Sequence, residues 1–364
     1  MADLLKNMYT YDLLHKLALD CKAVYEPFKV EEFIKSTMDE TWDSLELKAR
    51  TNQIALNLGK YLPRDYAAAI DVIDKVIANY GSWLEGFCIF FPTFVEFFGQ
   101  DEENWDISMG AMERYTRHAS AEFAVRPFII NHQERMMEQM YAWSKHEDEH
   151  VRRLSSEGCR PALPWAQALP AFKKDPTPIL PILERLKADP SEWVRRSVAN
   201  NLNDISKTHP DLVVKLAREW YGDNDQVNWV VKHACRMLLK KGNRDVLAIF
   251  GYDDITAVDV DDFALETASA PVGGDITFLF SVFAKSATKV RLEYGIDYVK
   301  ANGKTSRKMF KISEIVLKAG EKKHYTRKHS FADLSTRKHY PGTHSVTLVV
   351  NGTERGTLDF EILD

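Results

Sequence analysis

Glu122, Glu157 and Asp204 are lone acids set among small, amide and apolar residues. They stand in Ala119-Ser-Ala-Glu-Phe-Ala-Val-Arg-Pro-Phe128, Ser155-Ser-Glu-Gly-Cys-Arg-Pro-Ala-Leu-Pro-Trp165 and Asn200-Asn-Leu-Asn-Asp-Ile-Ser206. The first two are each followed by an Arg-Pro pair. A carboxylate held among small and apolar residues can serve chemistry as well as structure. Taken singly, each is more often a satisfied structural acid than a catalytic one. Three on neighbouring helices, with Arg153, Arg160 and Trp165 close by in sequence, point to one shared pocket.

A second pattern is discounted. His146-Glu-Asp-Glu-His150 matches H-E-x-x-H, which sets two zinc ligands and a general base on one helix. Here the pentapeptide is wholly charged and falls in a turn and the first turn of the helix that follows. A solvated helix start is the better reading, since acids at that end suit the helix dipole. Cys21, Cys88, Cys159 and Cys235 include no pair at metal-ligand spacing and read as small core residues in a reducing compartment. These residues point to no metal site.

The elements that carry the acids repeat. Glu149-His-Val-Arg-Arg-Leu154, Glu192-Trp-Val-Arg-Arg-Ser197 and Asn228-Trp-Val-Val-Lys-His233 align without gaps, with Val151, Val194 and Val230 spaced 43 and then 36 residues apart. Each opens after a turn rich in Asp, Glu or Pro, and second amphipathic stretches follow, such as Ile179–Leu186 and Leu212–Ala217. A helix pair at that period marks a HEAT-like solenoid, whose repeats bury their apolar faces only by stacking. Earlier, more degenerate pairs are Leu47–Leu62 with Ala67–Ile77, and Met109–Ile130 with Gln133–Trp143. Helical spacing puts Arg153, Glu157 and Arg160 on one face, away from Val151 and Leu154. Arg196, Asn200 and Asn203 do the same in the next repeat, beside Asp204, and Lys232 and Arg236 in the third. Arg153, Arg196 and Lys232 are equivalent positions and predict a basic ladder, either for phosphates or for ion pairs within the solenoid.

Near Tyr252 the chain changes character. All eight tryptophans precede it, and short alternating stretches such as Ile276–Phe283 and Ser345–Val350 follow, punctuated by Gly-Gly, Asn-Gly and Pro-Gly turns. The expected fold is therefore an all-α HEAT-like helical solenoid over 1–252, followed over 256–364 by an all-β immunoglobulin-like sandwich without a disulfide. Residues 285–340 carry 15 Lys/Arg against 5 Asp/Glu inside a chain of net charge −5. Lys322, Lys323, Arg327 and Lys328 are the densest part, expected on neighbouring loops or one sheet face and in contact with duplex phosphates; a solubilising surface is the plainer alternative. No apolar run approaches the roughly 20 residues needed to cross a bilayer. The opening Met-Ala-Asp-Leu-Leu-Lys lacks the pattern of a secretory signal, so a cytoplasmic protein is expected.

From Glu122 to Arg236, and most of all in Ser-Glu-Gly-Cys-Arg-Pro-Ala-Leu-Pro-Trp and Val-Arg-Arg-Ser-Val-Ala-Asn-Asn-Leu-Asn-Asp, the chain resembles the AlkC/AlkD group of bacterial alkylpurine DNA glycosylases. With its sandwich it looks like the longer, AlkC type over nearly its full length. The resemblance implies removal of N3-methylated bases, 3-methyladenine and with it 3-methylcytosine, by a monomer acting on double-stranded DNA containing alkylated bases, without turning the base into a pocket. It implies Glu157, Glu122 and Asp204 as catalytic carboxylates that stabilise an oxocarbenium-like sugar and orient a water molecule, with no metal and no cofactor, and Trp165, Arg153, Arg160, Arg196, Lys232 and Arg236 against lesion and backbone. The rival from another class is a non-enzymatic scaffold, because fold alone fixes no activity.

Overall fold

The structure, a computed structural model, describes residues 5–79, 88–334 and 337–364. Trp83 and Thr336 lie outside them. Sixteen α-helices precede eight strands among the described residues. The helices are α1 (Tyr11–Val24), α2 (Val30–Thr37), α3 (Leu47–Tyr61), α4 (Tyr66–Ile77), α5 (Phe90–Phe98), α6 (Trp105–Tyr115), α7 (Val125–Asn131), α8 (Gln133–Trp143), α9 (Glu149–Glu157), α10 (Pro170–Lys174), α11 (Leu180–Leu186), α12 (Glu192–Ile205), α13 (Pro210–Trp220), α14 (Asp225–Ala234), α15 (Arg236–Lys240) and α16 (Arg244–Ile249). By contact the chain divides into two compact units, Met1–Thr208 with Gly222–Ala234, and His209–Tyr221 with Cys235–Asp364.

In the first unit the repeat is physical. α12 packs on both α9 and α14, and Val151, Val194 and Val230 are all fully buried. The first arginine of each Val-Arg-Arg triplet is structural. Arg152 donates to the carbonyls of His146 and Glu147 at 2.9 and 2.6 Å, and Arg195 to those of Asp189 and Pro190 at 2.5 and 2.9 Å. Each thus ties its helix to the turn six and five residues back. Arg152 also grips Asp189 with two hydrogen bonds of 2.6 and 3.1 Å, joining one repeat to the next. The second arginine of each triplet is thereby left for the other side of the helix.

The stretch Met109–Ile130 is not one helix. It breaks into α6 and α7, and residues 116–124 between them carry Ser120 and Glu122. The break is held locally: the amides of Thr116 and Ala119 return to the carbonyls of Met112 and Tyr115. Pro127, which has no N–H to give, sits in the first turn of α7, where none is required. At the far end of α9, Gly158 allows close approach; a Cβ there would lie 2.6 Å from Val125 Cγ2 and 2.9 Å from Met140 Cε. Ser156 lets α12 approach likewise, and Asn201 donates to its carbonyl at 2.8 Å.

The second unit holds α13, α15 and α16 with the strands β1 (Val258–Leu265), β2 (Ser269–Pro271), β3 (Asp275–Ala284), β4 (Thr288–Val299), β5 (Thr305–Leu317), β6 (Lys322–Ser330), β7 (Gly342–Val350) and β8 (Thr353–Leu363). They form a β1-β3-β6 sheet and a β2-β8-β7-β4-β5 sheet. Alternate residues point inward: Ile276, Phe278, Phe280 and Val282 from β3 meet Leu292 and Ile296 from β4 and Val346, Leu348 and Val350 from β7, all buried. Buried histidines interrupt this core, among them His329, His339 and His344. His329 has the hydroxyls of Tyr294 and Tyr298 at 2.9 and 2.7 Å from its two ring nitrogens, and burial takes its pKa down to about 4. The neutral ring is therefore the folded form.

Candidate active site

Two predicted carboxylates line one cleft. Glu122, from the break between α6 and α7, and Glu157, the last residue of α9, border a space of about 370 Å³ together with Arg153, Arg160 and Trp165. The charged groups form a chain of alternating sign. Ser120 donates to Glu122 Oε2 at 2.8 Å, and Arg153 Nη1 reaches the same oxygen at 2.9 Å. Arg153 Nη2 lies 3.7 Å from Glu157 Oε1, which accepts from Arg160 Nη1 at 2.5 Å. Arg160 Nε donates to Asp204 Oδ2 at 2.9 Å, and Lys207 Nζ to Asp204 Oδ1 at 2.7 Å. Burial pushes the Arg160 guanidinium down, but its two carboxylates outweigh that and leave it above its ordinary value. Each acid is thus fixed by at least one cation, and none is free to turn away.

The three acids hold different places in this chain. Glu122 and Glu157 border the cleft, whereas Asp204, 4% exposed, is not among its lining residues and stands behind Arg160. Asp204 acts on the cleft through the arginine it holds. Trp165 is 74% exposed and has a φ of +62°, a left-handed conformation that a bulky residue adopts only when its surroundings impose it. Arg126 supplies that constraint. Its fully buried guanidinium donates to the carbonyls of Gly158, Arg160 and Gln167 at 2.9, 3.0 and 2.5 Å, pinning both ends of the loop that carries Trp165. With carbonyls as its hydrogen-bond acceptors, burial dominates and lowers its pKa to about 10.

The remaining predicted positions differ from one another. Arg153 lies 4.3 Å over the Trp193 ring, so its plane is fixed by an aromatic face as well as by acids. Arg196 is exposed and pairs with Glu192 at 2.5 Å. Lys232 is half-buried on α14, and Arg236 opens α15 in the second unit. Sequence reasoning did not single out Leu47, Ile89, His118, Ser120 and Phe123, which also line the cleft. Leu47 and Ile89 arrive from α3 and from just before α5, far from Glu157 in sequence, and no local pattern marks them. His146 and His150 do not share a helix: Asp148 caps α9, and its amide donates to His146 Nδ1 at 2.9 Å.

A model of DNA alkylation repair enzymes matches residues 113–238, the stretch that holds all three acids. Residues 259–364 match the C-terminal immunoglobulin-like domain described for the uncharacterised protein YhaZ. The protein YhaZ of Bacillus subtilis is 43% identical over 362 residues, with both chains covered in full. The alkylpurine DNA glycosylase AlkC of Pseudomonas fluorescens, solved bound to DNA containing an abasic site analogue, superimposes with a TM-score of 0.94 at 34% identity over all of both chains. The chain belongs to the AlkC family of DNA alkylation repair enzymes. Its helical part and immunoglobulin-like sandwich are those of that family.

In this AlkC-family chain the basic run of the sandwich is placed differently from expectation. Lys322, Lys323, Arg327 and Lys328 lie on no loop and share no single face, because β6 is a strand and its side chains alternate. Lys322 and Lys328 point one way; Lys323 and Arg327 point the other, with the half-buried Tyr325 and the buried His329. Three of the four have acidic neighbours. Lys328 pairs with Asp275 at 2.6 Å, Lys322 lies 3.4 and 3.6 Å from Asp261 and Asp262, and Lys323 is 3.7 Å from Glu321. Arg327 lies 5.7 Å over the Tyr325 ring. The local excess of positive charge is therefore smaller in space than in sequence.

Proposed function

We propose that the protein is a glycosylase that hydrolyses the N-glycosidic bond of N3-alkylated bases in duplex DNA, 3-methyladenine and with it 3-methylcytosine. The observation that carries this reading is the pair Glu122 and Glu157 on one cleft, each locked by an arginine, beside an exposed Trp165. An N3-alkylated base is already cationic, so its bond to the sugar is weak and its departure needs no strong acid. The C1′–N bond breaks with its electron pair going to the base, which leaves neutral, and the positive charge passes to the sugar. Glu157, the more buried of the two, stabilises that oxocarbenium-like sugar, and Glu122 orients the water that adds to C1′ and takes its proton. Arg153 and Arg160 keep both carboxylates aimed, with Asp204 holding Arg160. Trp165 packs against the lesion's sugar or base.

The lesion is handled within the duplex, without the base being turned into a pocket. The protein works as a monomer in the cytoplasm, where its substrate is chromosomal DNA. The test is release of free base from a duplex carrying a single 3-methyladenine, in buffer with a chelator, read by mass spectrometry. Release that persists with chelator supports the reading. A duplex that is bound but left intact favours a scaffold.

A further inference from the structure

Next to the cleft lies a larger chamber of about 750 Å³, and the two share Leu47, Ile89, Phe123 and Trp165 as walls. Several of its polar groups are already committed. Thr51 and Thr93 donate their hydroxyls to the carbonyls of Leu47 and Ile89, and Lys6 pairs with Glu46 at 2.7 Å. Two are not. The Asn52 amide and the Glu96 carboxyl are half-buried and have no hydrogen bond among the described residues. Lys48, also in the lining, is held with its Nζ 5.6 Å over the Phe123 ring. A mostly apolar chamber with a few convergent, uncommitted polar groups is the ordinary form of a small-molecule site.

We propose that this chamber receives the alkylated base once it has left the sugar, as a product site for a neutral N3-alkylpurine. This rests on the glycosylase reading above. Flat aromatic and aliphatic walls suit a planar heterocycle, while an amide and a carboxyl match the donors and acceptors along its edge. Charge gives the direction of transfer. Before the C1′–N bond breaks the base is a cation, which Lys48 repels; afterwards the electron pair has neutralised it. Burial pushes the Glu96 carboxyl up, and Lys48 draws it part of the way back down. The shared walls mean that a base sliding off the sugar past Trp165 enters without crossing bulk water.

The experiment uses the full chain and free 3-methyladenine as the probe. Binding is followed by calorimetry, and the first turnover on a lesion duplex is followed in parallel. Wild type is expected to bind the free base and to be slowed by it in multiple turnover. Asn52→Ala with Glu96→Gln should weaken that binding about tenfold or more, the loss of one to two hydrogen bonds, with the first turnover within about twofold of wild type. Asn52→Ser, a milder change at a partly exposed position, should lie between. No binding by wild type at millimolar base, unchanged binding in the double variant, or a first turnover that falls in step with binding would each overturn the proposal. Free-base binding in a protein that releases no base from DNA would leave the site standing and remove the glycosylase reading instead.

Discussion

Replacing Glu157 by Gln removes one negative charge from the cleft and little else. The amide can still accept from Arg160, and Arg160 keeps Asp204 at 2.9 Å, so the fold should survive. The size of the effect follows from where the charge sits. A carboxylate about 4 Å from a unit positive charge, at an effective dielectric constant near 20, is worth about 4 kcal/mol. That full amount would count only if the reaction created the charge. Here the base is cationic beforehand, and the charge moves from base to sugar, so only the change in distance lowers the barrier. A move from about 7 to about 4 Å is worth about 2 kcal/mol on the same scale. The two limits bracket a loss of roughly 20- to 1,000-fold in the rate of base release. The assay is single-turnover excision at saturating enzyme, with binding to an abasic duplex measured alongside. Loss of rate with binding intact is expected; Glu157→Gln cleaving at the wild-type rate would refute the assignment.

Other consequences can be checked separately. Asp204→Asn should slow excision less than Glu157→Gln but cost about 3 kcal/mol of stability by urea denaturation, because it leaves part of the buried Arg160 charge uncompensated. Charge reversal at Lys322 and Lys328 should lower the log–log salt slope of duplex binding by less than two units, since both already have acidic partners. The effect should be the same across sequences, because phosphates carry no base information. His329 is depressed in the fold from about 6.5 to about 4, so the unfolded chain binds the extra proton. Its contribution is complete above about pH 6.5 and is lost as pH falls from there towards 4, about 3 kcal/mol in all. Denaturation midpoints between pH 7.5 and 4.5 should show this dependence, and His329→Phe should remove most of it.

The order of elements was legible because helix and strand have different periods. Val151, Val194 and Val230 announced three stacked helices, and the alternation in Ile276–Phe283 announced a core strand. The acids of the cleft were legible as lone charges among small residues, a pattern that survives in one dimension. What was lost is whatever depends on register or distant contact. The Lys322–Lys328 run looked like one basic surface because a count ignores the two faces of a strand and the acids that β1 and β3 bring alongside. Met109–Ile130 looked like one helix because its apolar positions keep helical spacing across a break made by capping bonds. Asp204 looked equivalent to Glu157, yet Arg160 stands between it and the cleft. Arg126 was visible only as half of an Arg-Pro pair; its task, three carbonyls on a loop some 30 to 40 residues away, has no local signature.

The claim at the centre is that positive charge gathers on the sugar between Glu122 and Glu157 as the base departs. The measurement that reaches it most directly is the secondary isotope effect of tritium at C1′ during single-turnover release of 3-methyladenine by the full chain. A large normal effect, the mark of a carbon flattening towards an oxocarbenium ion, is the result predicted. An effect near unity, with base release intact, would mean that no such cation forms and that the two carboxylates do something else.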